Sequence, residues 1–239
     1  MKSFGTKKPV LFELLLFIIA MAAAVILGVI LGNVNEIRNM SMALSRIIVT
    51  LILLVIFRKC FRNERPLAGI GYALPALLLA AWNAACGLAF GGKFELPDAE
   101  VIILSAAPAV FEEVLFRGIL ISNLKENGKS DMSAMIISAV FFGLVHLTNI
   151  VGMSLPNTLI QTGYATVIGL LFGAVYLKKH DILSVMIMHG LIDLSSHMFV
   201  NRSTVITPAM LAAFAGILLL VVVYSFVLTK NGREDSFEH

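Results

Sequence analysis

The chain has 239 residues, of which 59% are hydrophobic and only 14% charged, with a mean hydropathy of +0.92 and a net charge of +3. Soluble domains carry roughly 25% charged residues, and a fold of this size cannot hide so much apolar surface. The composition excludes a soluble domain, a disordered chain and a nucleic-acid binder, and leaves an all-α polytopic membrane protein.

A spanning helix needs about 20 apolar residues. Apolar runs with polar punctuation predict eight of them, near 9–31, 41–57, 69–91, 99–122, 132–149, 158–178, 181–199 and 207–229. The first run is too long for the apolar region of a signal peptide and reads as a spanning anchor. The second is short, and the fifth carries Ser133, Ser138 and His146. Together they form a single membrane domain over residues 1–239, with N-terminal helices at 9–91, a core at 99–199 and a last helix at 207–229. Cys60 falls in a cytoplasmic loop and Cys86 in a helix, so a disulfide is not expected.

Lys and Arg set the orientation. With the N-terminus inside, the cytoplasmic face collects Lys2, Lys7, Lys8, Arg58, Lys59, Arg62, Arg65, Lys125, Lys129, Lys178, Lys179, Lys230 and Arg233. The other face holds only Arg38, Arg46, Lys93 and Arg202. Removing or adding one helix destroys this bias. It therefore predicts an even number of helices with both termini in the cytoplasm; the plasma membrane is the expected location.

Ionisable groups deep in a bilayer are costly and mark function by default. They occur near the middle of three predicted spans: Glu112, Glu113 and Arg117, then His146, then His189 and Asp193. At 1.5 Å per residue, Glu112 lies about 15 Å from the cytoplasmic end, His146 about 21 Å, His189 about 12 Å and Asp193 about 18 Å. Three helices thus bring polar groups to one level. Glu113 and Arg117, at i and i+4, read as a mutual structural ion pair. Glu112 points about 100° away and lacks that partner. A desolvated carboxylate beside an imidazole is suited to activating water.

Other polar groups have plainer readings. Glu13, one turn inside the first span, reads as an interfacial carboxylate. His180 reads as a residue of a solvated loop, and His197 as a surface histidine. Ser105 lies about two turns from Glu112 with no evident base. Asn149, Asn157 and Gln161 extend a polar cavity outward, and Gly163, Gly169, Gly173 and Gly190 allow close helix packing. There is no His-Glu-x-x-His helix, cysteine cluster, Gly-x-Ser-x-Gly elbow or P-loop.

Glu112-Glu113-Val114-Leu115-Phe116-Arg117 fits Glu-Glu-x-x-x-Arg, Phe142 to His146 fits Phe-x-x-x-His, and His189 to Asp193 fits His-x-x-x-Asn/Asp. In this order and spacing, the motifs resemble those of the CAAX protease and bacteriocin-processing (Abi) family, whose eukaryotic members are type II CAAX prenyl endopeptidases. The resemblance covers residues 99–199. It implies an intramembrane endopeptidase in which Glu112 and His146 activate water, and His189 with the residue at Asp193 stabilises the oxyanion. Glu113 and Arg117 support them. The prenyl-protease pattern has Asn where this chain has Asp193. An ionised carboxylate cannot donate to an oxyanion, so Asp193 is either protonated or orients His189.

The partners implied are the lipid bilayer and a membrane-associated peptide or protein substrate, with no cofactor. Two alternatives differ in class. One is a non-catalytic regulator, such as a bacteriocin-immunity factor or a sensor-kinase regulator. The other is a proton-coupled transporter, disfavoured because every central ionisable group lies in the C-terminal half. Within the enzyme reading, a variant has Glu112, His146, His189 and Asp193 holding zinc.

Overall fold

A computed structural model describes residues 8–35, 38–200 and 207–231. Lys2, Lys7, Arg202 and Arg233, used above for orientation, lie outside the described residues, as does the side chain of Arg38. All eight predicted helices are present. They are α1 (Pro9–Asn35), α2 (Arg38–Ile56), α3 (Leu74–Ala89), α4 (Ala99–Glu113), α6 (Asp131–Val145), α7 (Leu155–Lys179), α8 (Ile182–His197) and α9 (Pro208–Lys230). A short helix, α5 (Ser122–Glu126), ends the α4 rod. The fold is all-α and that of a polytopic membrane protein. Four segments are long and apolar enough to cross a membrane: Pro9–Gly32, Asp131–Val151, Leu155–Lys179 and Pro208–Lys230.

Helix starts follow local chemistry. Asp98, Ser130, Asp181 and Thr207 each accept a hydrogen bond from the backbone N–H three residues on. This satisfies donors that the first helical turn leaves free. Two predicted helices depart from a plain α-helix. The fourth passes from α4 into a π-helical stretch, Val114–Ile121, before α5. The fifth stops being α-helical at Val145 and continues as a 3-10 helix, His146–Val151. Both changes fall at ionisable motif residues. Apolar periodicity does not register such shifts in winding, which often mark functional sites.

Helix α7 forms the centre, packed on α6 and α9, while α1 lies against α2, and α8 lies between α3 and α4. Helices α1 and α9 turn most of their apolar side chains outward, with Ile18, Ile19, Ile26, Leu219 and Leu220 all exposed. In water that surface would be ruinous; in lipid it is the expected outer face.

The small residues divide sharply. A Cβ on Gly169 would stand 3.0 Å from the Ala139 Cα, and one on Gly173 would stand 3.3 Å from Met135. Both therefore set the α6–α7 spacing. Gly190 is looser, 3.9 Å from Ala109. Gly163 faces open space and has no packing role, contrary to expectation. The tightest approach in this pair is one the sequence left unremarked. A Cβ on Gly143 would collide with Thr166 Oγ1 and stand 2.9 Å from the Thr162 carbonyl oxygen. Gly143→Ala is therefore expected to destabilise the protein by about 1–3 kcal/mol through overpacking. Gly163→Ala should leave the thermal midpoint in detergent unchanged or slightly raised. Equal midpoints for the two variants would refute this account of the α6–α7 contact.

One end of the bundle is latched by carboxylates. Glu64, in the α2–α3 loop, accepts from the Tyr176 hydroxyl (3.1 Å) and the Ile182 N–H (2.7 Å), and Asp181 accepts from the Gly69 N–H (2.7 Å). The Arg65 N–H donates to the His180 carbonyl at 2.9 Å. His180 caps α7 in the left-handed conformation (φ 52°), beside Glu64 at 3.5 Å. It is half-buried and part of this latch, not the solvated loop residue expected. At the other end, β1 (Lys93–Phe94) pairs antiparallel with β2 (Phe199–Val200). The α2–α3 loop and the α7–α8 turn thus share one end, and the α3–α4 and α8–α9 connections share the opposite end.

Both cysteines are free thiols. Cys60 lies in the α2–α3 loop, where burial and then the nearby Glu126 and Glu13 carboxylates push its thiol up to about 11. Its thiolate is the reactive form. A rise of about two pK units leaves about 100-fold less thiolate than an ordinary cysteine at pH 8. In a Cys86→Ser protein, alkylation of Cys60 should be slow at pH 8 and accelerate until the pH passes about 11. A rate that levels off near pH 9 would show that burial does not act on this thiol.

Candidate active site

The polar groups predicted to meet do meet. Glu112, His146, His189 and Asp193 line one cavity of about 510 Å³, whose walls come from α1, α2, α3, α4, α6, α7, α8 and α9. Pro108, one turn before Glu112, also lines it. Helices α4 and α8 pack directly together, and the two carboxylates and His189 follow from that contact.

Glu113 is the hub of the charged cluster. It is fully buried, and its Oε1 accepts from Arg117 Nη1 at 2.9 Å and from His189 Nδ1 at 2.8 Å. Arg117 is also fully buried. Its Nη2 donates to the Gly169 carbonyl at 3.1 Å, and its guanidinium lies 4.4 Å from the centre of the Phe142 ring and 5.3 Å from that of Phe172. These aromatic faces offset part of the cost of burying a cation. Two charges without such partners would cost several kcal/mol each. The i, i+4 spacing correctly predicts the ion pair, but the pair is not merely mutual, because Glu113 also holds His189. Sequence spacing contains no sign of that bond, which joins residues 76 positions apart.

The two imidazoles are held in the same manner, each by Nδ1. His146 Nδ1 lies 2.8 Å from the Phe142 carbonyl oxygen. A carbonyl only accepts, so the neutral His146 ring carries its proton on Nδ1 and leaves Nε2 as a bare acceptor. The Phe142 and His146 rings stack edge to face at 5.0 Å, which fixes the ring plane. On His189, Nδ1 is committed to Glu113, so Nε2 is the free nitrogen. It lies 3.9 Å from Glu112 Oε2 and 3.6 Å from Asp193 Oδ2. The orienting partner of His189 is therefore Glu113. Asp193 is beyond hydrogen-bond distance and sits on the other nitrogen.

The remaining expectations separate. Asn149 and Gln161 line the cavity and bond to each other at 2.9 Å, whereas Asn157 is exposed and outside it. Ser105 is buried and donates to the Val101 carbonyl at 2.9 Å, and His197 is exposed. Glu13 does not reach an interface as expected. It is fully buried, and neither carboxylate oxygen has a hydrogen-bond partner among the described residues. Arg46, assigned above to the outer face, is half-buried in α2 and lines the cavity. Its position five residues inside an apolar run was the available signal. Among the described residues, no three His, Cys, Asp or Glu side chains are disposed to hold a metal ion.

Every motif residue falls within a single family match. Residues 96–195 match the family of type II CAAX prenyl endopeptidase Rce1-like proteins. The match begins just before α4 and ends inside α8, so it covers the segment that supplies Glu112, Glu113, Arg117, His146, His189 and Asp193. Arg46 and the α1–α3 walls of the cavity lie outside it. No curated protein and no solved structure matches the chain.

Proposed function

We propose that the protein is an intramembrane endopeptidase that hydrolyses a peptide bond in a membrane-associated protein or peptide, with Glu112 and His146 activating the attacking water. The observation that carries this reading is the shared cavity, which Glu112 and His146 both line, with His146 Nδ1 held at the Phe142 carbonyl oxygen. Water between a carboxylate and a bare imidazole nitrogen loses a proton to one of them as its oxygen bonds to the scissile carbonyl carbon. The carbonyl π electrons move to oxygen, and the resulting oxyanion needs a donor. His189 supplies it as the imidazolium, from Nε2–H, with its ring aimed by the Nδ1–H bond to Glu113. Collapse of the tetrahedral adduct breaks the C–N bond, and the proton taken from water passes to the departing amine.

Asp193 can assist the oxyanion only when protonated. At 3.6 Å from His189 Nε2, its ionised form instead favours the imidazolium, the form that keeps a proton on Nε2 while Nδ1–H is held by Glu113. No step requires a metal.

We further infer eight membrane spans with both termini cytoplasmic. The latched end of the bundle carries Arg58, Lys59, Arg62, Arg65, Lys178 and Lys179, and excess Lys and Arg marks the inner face.

The reading is tested by comparing membrane and secreted peptides from a deletion strain complemented with wild type or Glu112→Gln. A peptide terminus found only with wild type is the expected result, and it names the substrate. Identical peptide sets in the two strains, or a phenotype fully restored by Glu112→Gln, would instead indicate a non-catalytic regulator.

A further inference from the structure

The cavity holds a cation that the proposed hydrolysis does not use. Arg46 lines it from α2, half-buried, and its guanidinium makes no hydrogen bond or ion pair among the described residues. The two carboxylates that share the cavity, Glu112 and Asp193, are near His189. An arginine inside an apolar helix of a membrane protein is costly and persists where it faces a polar cavity or a partner. Arg117 shows how this chain neutralises a structural arginine, with a carboxylate, a carbonyl and two aromatic faces. Arg46 has none of these among the described residues, which leaves its guanidinium open to a group brought into the cavity.

We propose that Arg46 binds a carboxylate of the peptide lying in the cavity, and so sets which peptide bond reaches Glu112 and His146. This rests on the endopeptidase reading for its consequence, though not for the binding itself. Three features favour a peptide carboxylate. The guanidinium fork matches a carboxylate in bidentate geometry. Asn83, Asn149, Gln161 and Tyr164 also line the cavity, and these amide and hydroxyl groups suit a peptide backbone better than acyl chains. Finally, a substrate carboxylate placed beside Glu112 and Asp193 would be repelled. Arg46 is the lining side chain with a permanent positive charge and no ion pair among the described residues, so it fixes where that group sits. The shared chemistry is a carboxylate, from either the chain terminus or an acidic side chain.

The test is binding to the purified full-length protein in detergent, read by thermal shift and by titration. The probes are acetyl-Leu-Leu-Leu as free acid and as carboxamide, and acetyl-Leu-Asp-Leu carboxamide. A charge-assisted bidentate contact predicts that one of the two carboxylate probes binds at least about tenfold tighter than the uncharged amide. Which one does so identifies the source of the carboxylate. In Arg46→Gln the preference should fall to within about twofold, and Arg46→Lys should retain part of it. Equal binding of all three peptides to wild type, no binding of any, or an unchanged preference in Arg46→Gln would overturn the proposal. So would tighter binding of dihexanoyl phosphatidylglycerol than of either carboxylate peptide, which would make Arg46 a lipid-headgroup site. The same titrations on Glu112→Gln separate the two readings. An Arg46-dependent preference in a protein whose peptide products do not depend on Glu112 keeps the carboxylate site and removes the endopeptidase.

Discussion

Glu112→Gln is expected to lower peptide turnover by about 10³-fold while the protein accumulates in membranes and melts as wild type does. Positioned acid–base groups contribute about 10²–10⁴-fold, and glutamine keeps the shape of glutamate while removing its basicity. The substitution is structurally mild, because the side chain is 23% exposed to the cavity and its nearest charged partner, His189, stands 3.9 Å away. His146→Ala should fall by a similar factor. If both residues act on one water, the double variant should be little worse than either single one, since groups acting as a unit are strongly non-additive. The measurements are turnover of a quenched peptide carrying the cleavage site found in the strain comparison, and the thermal midpoint of each variant. Full turnover in Glu112→Gln, or a loss that tracks unfolding, would remove Glu112 from the chemistry.

Arg117→Met should cost about 3–5 kcal/mol of stability, the usual result of removing one member of a buried ion pair. It leaves the Glu113 carboxylate fully buried with His189 as its remaining partner. It also removes the bond to the Gly169 carbonyl, which ties the α4 rod to α7. Glu113→Leu combined with Arg117→Met should recover much of the loss, because no isolated charge is then left inside. Activity should not recover with it, because His189 no longer has an acceptor for Nδ1. This split between stability and turnover is the signature of Glu113 as a positioning residue for His189. An Arg117→Met protein as stable as wild type, or a double variant that regains full turnover, would contradict the arrangement. Stability is measured by denaturant titration in detergent micelles, on the same preparations used for turnover.

Part of this site is legible in the amino-acid sequence alone. Glu112, His146, His189 and Asp193 stood out because apolar helices leave few ionisable residues, and each of these carries an obvious cost. Their common depth follows from the helical rise alone. The ion pair between Glu113 and Arg117 follows from one turn of helix. The burial of Glu13 and the cavity position of Arg46 were missed for one shared reason. Glu13 lies one turn inside α1 and Arg46 at the middle of α2, and in both a long side chain has the option of reaching toward an interface. Whether it does so depends on which neighbour covers that face, and sequence periodicity does not say. Gly143 was missed because a close approach is a property of two helices at once, here of Gly143 with Thr162 and Thr166.

The sequence by itself determined an all-α membrane protein of eight helices, the three that carry the central charges, and the meeting of Glu112, His146, His189 and Asp193. These follow from hydropathy, helical rise and the price of a charge in lipid, all of which act locally along the chain. Tertiary structure decided how the charges are shared. It gave Glu113 to both Arg117 and His189, left Glu112 open to the cavity, and set Asp193 on the Nε2 side of His189 at 3.6 Å. It also turned Arg46 inward. The physical reason is range. Helix formation depends on neighbours within about four residues, whereas the protonation, orientation and access of these groups depend on contacts between helices far apart in the chain.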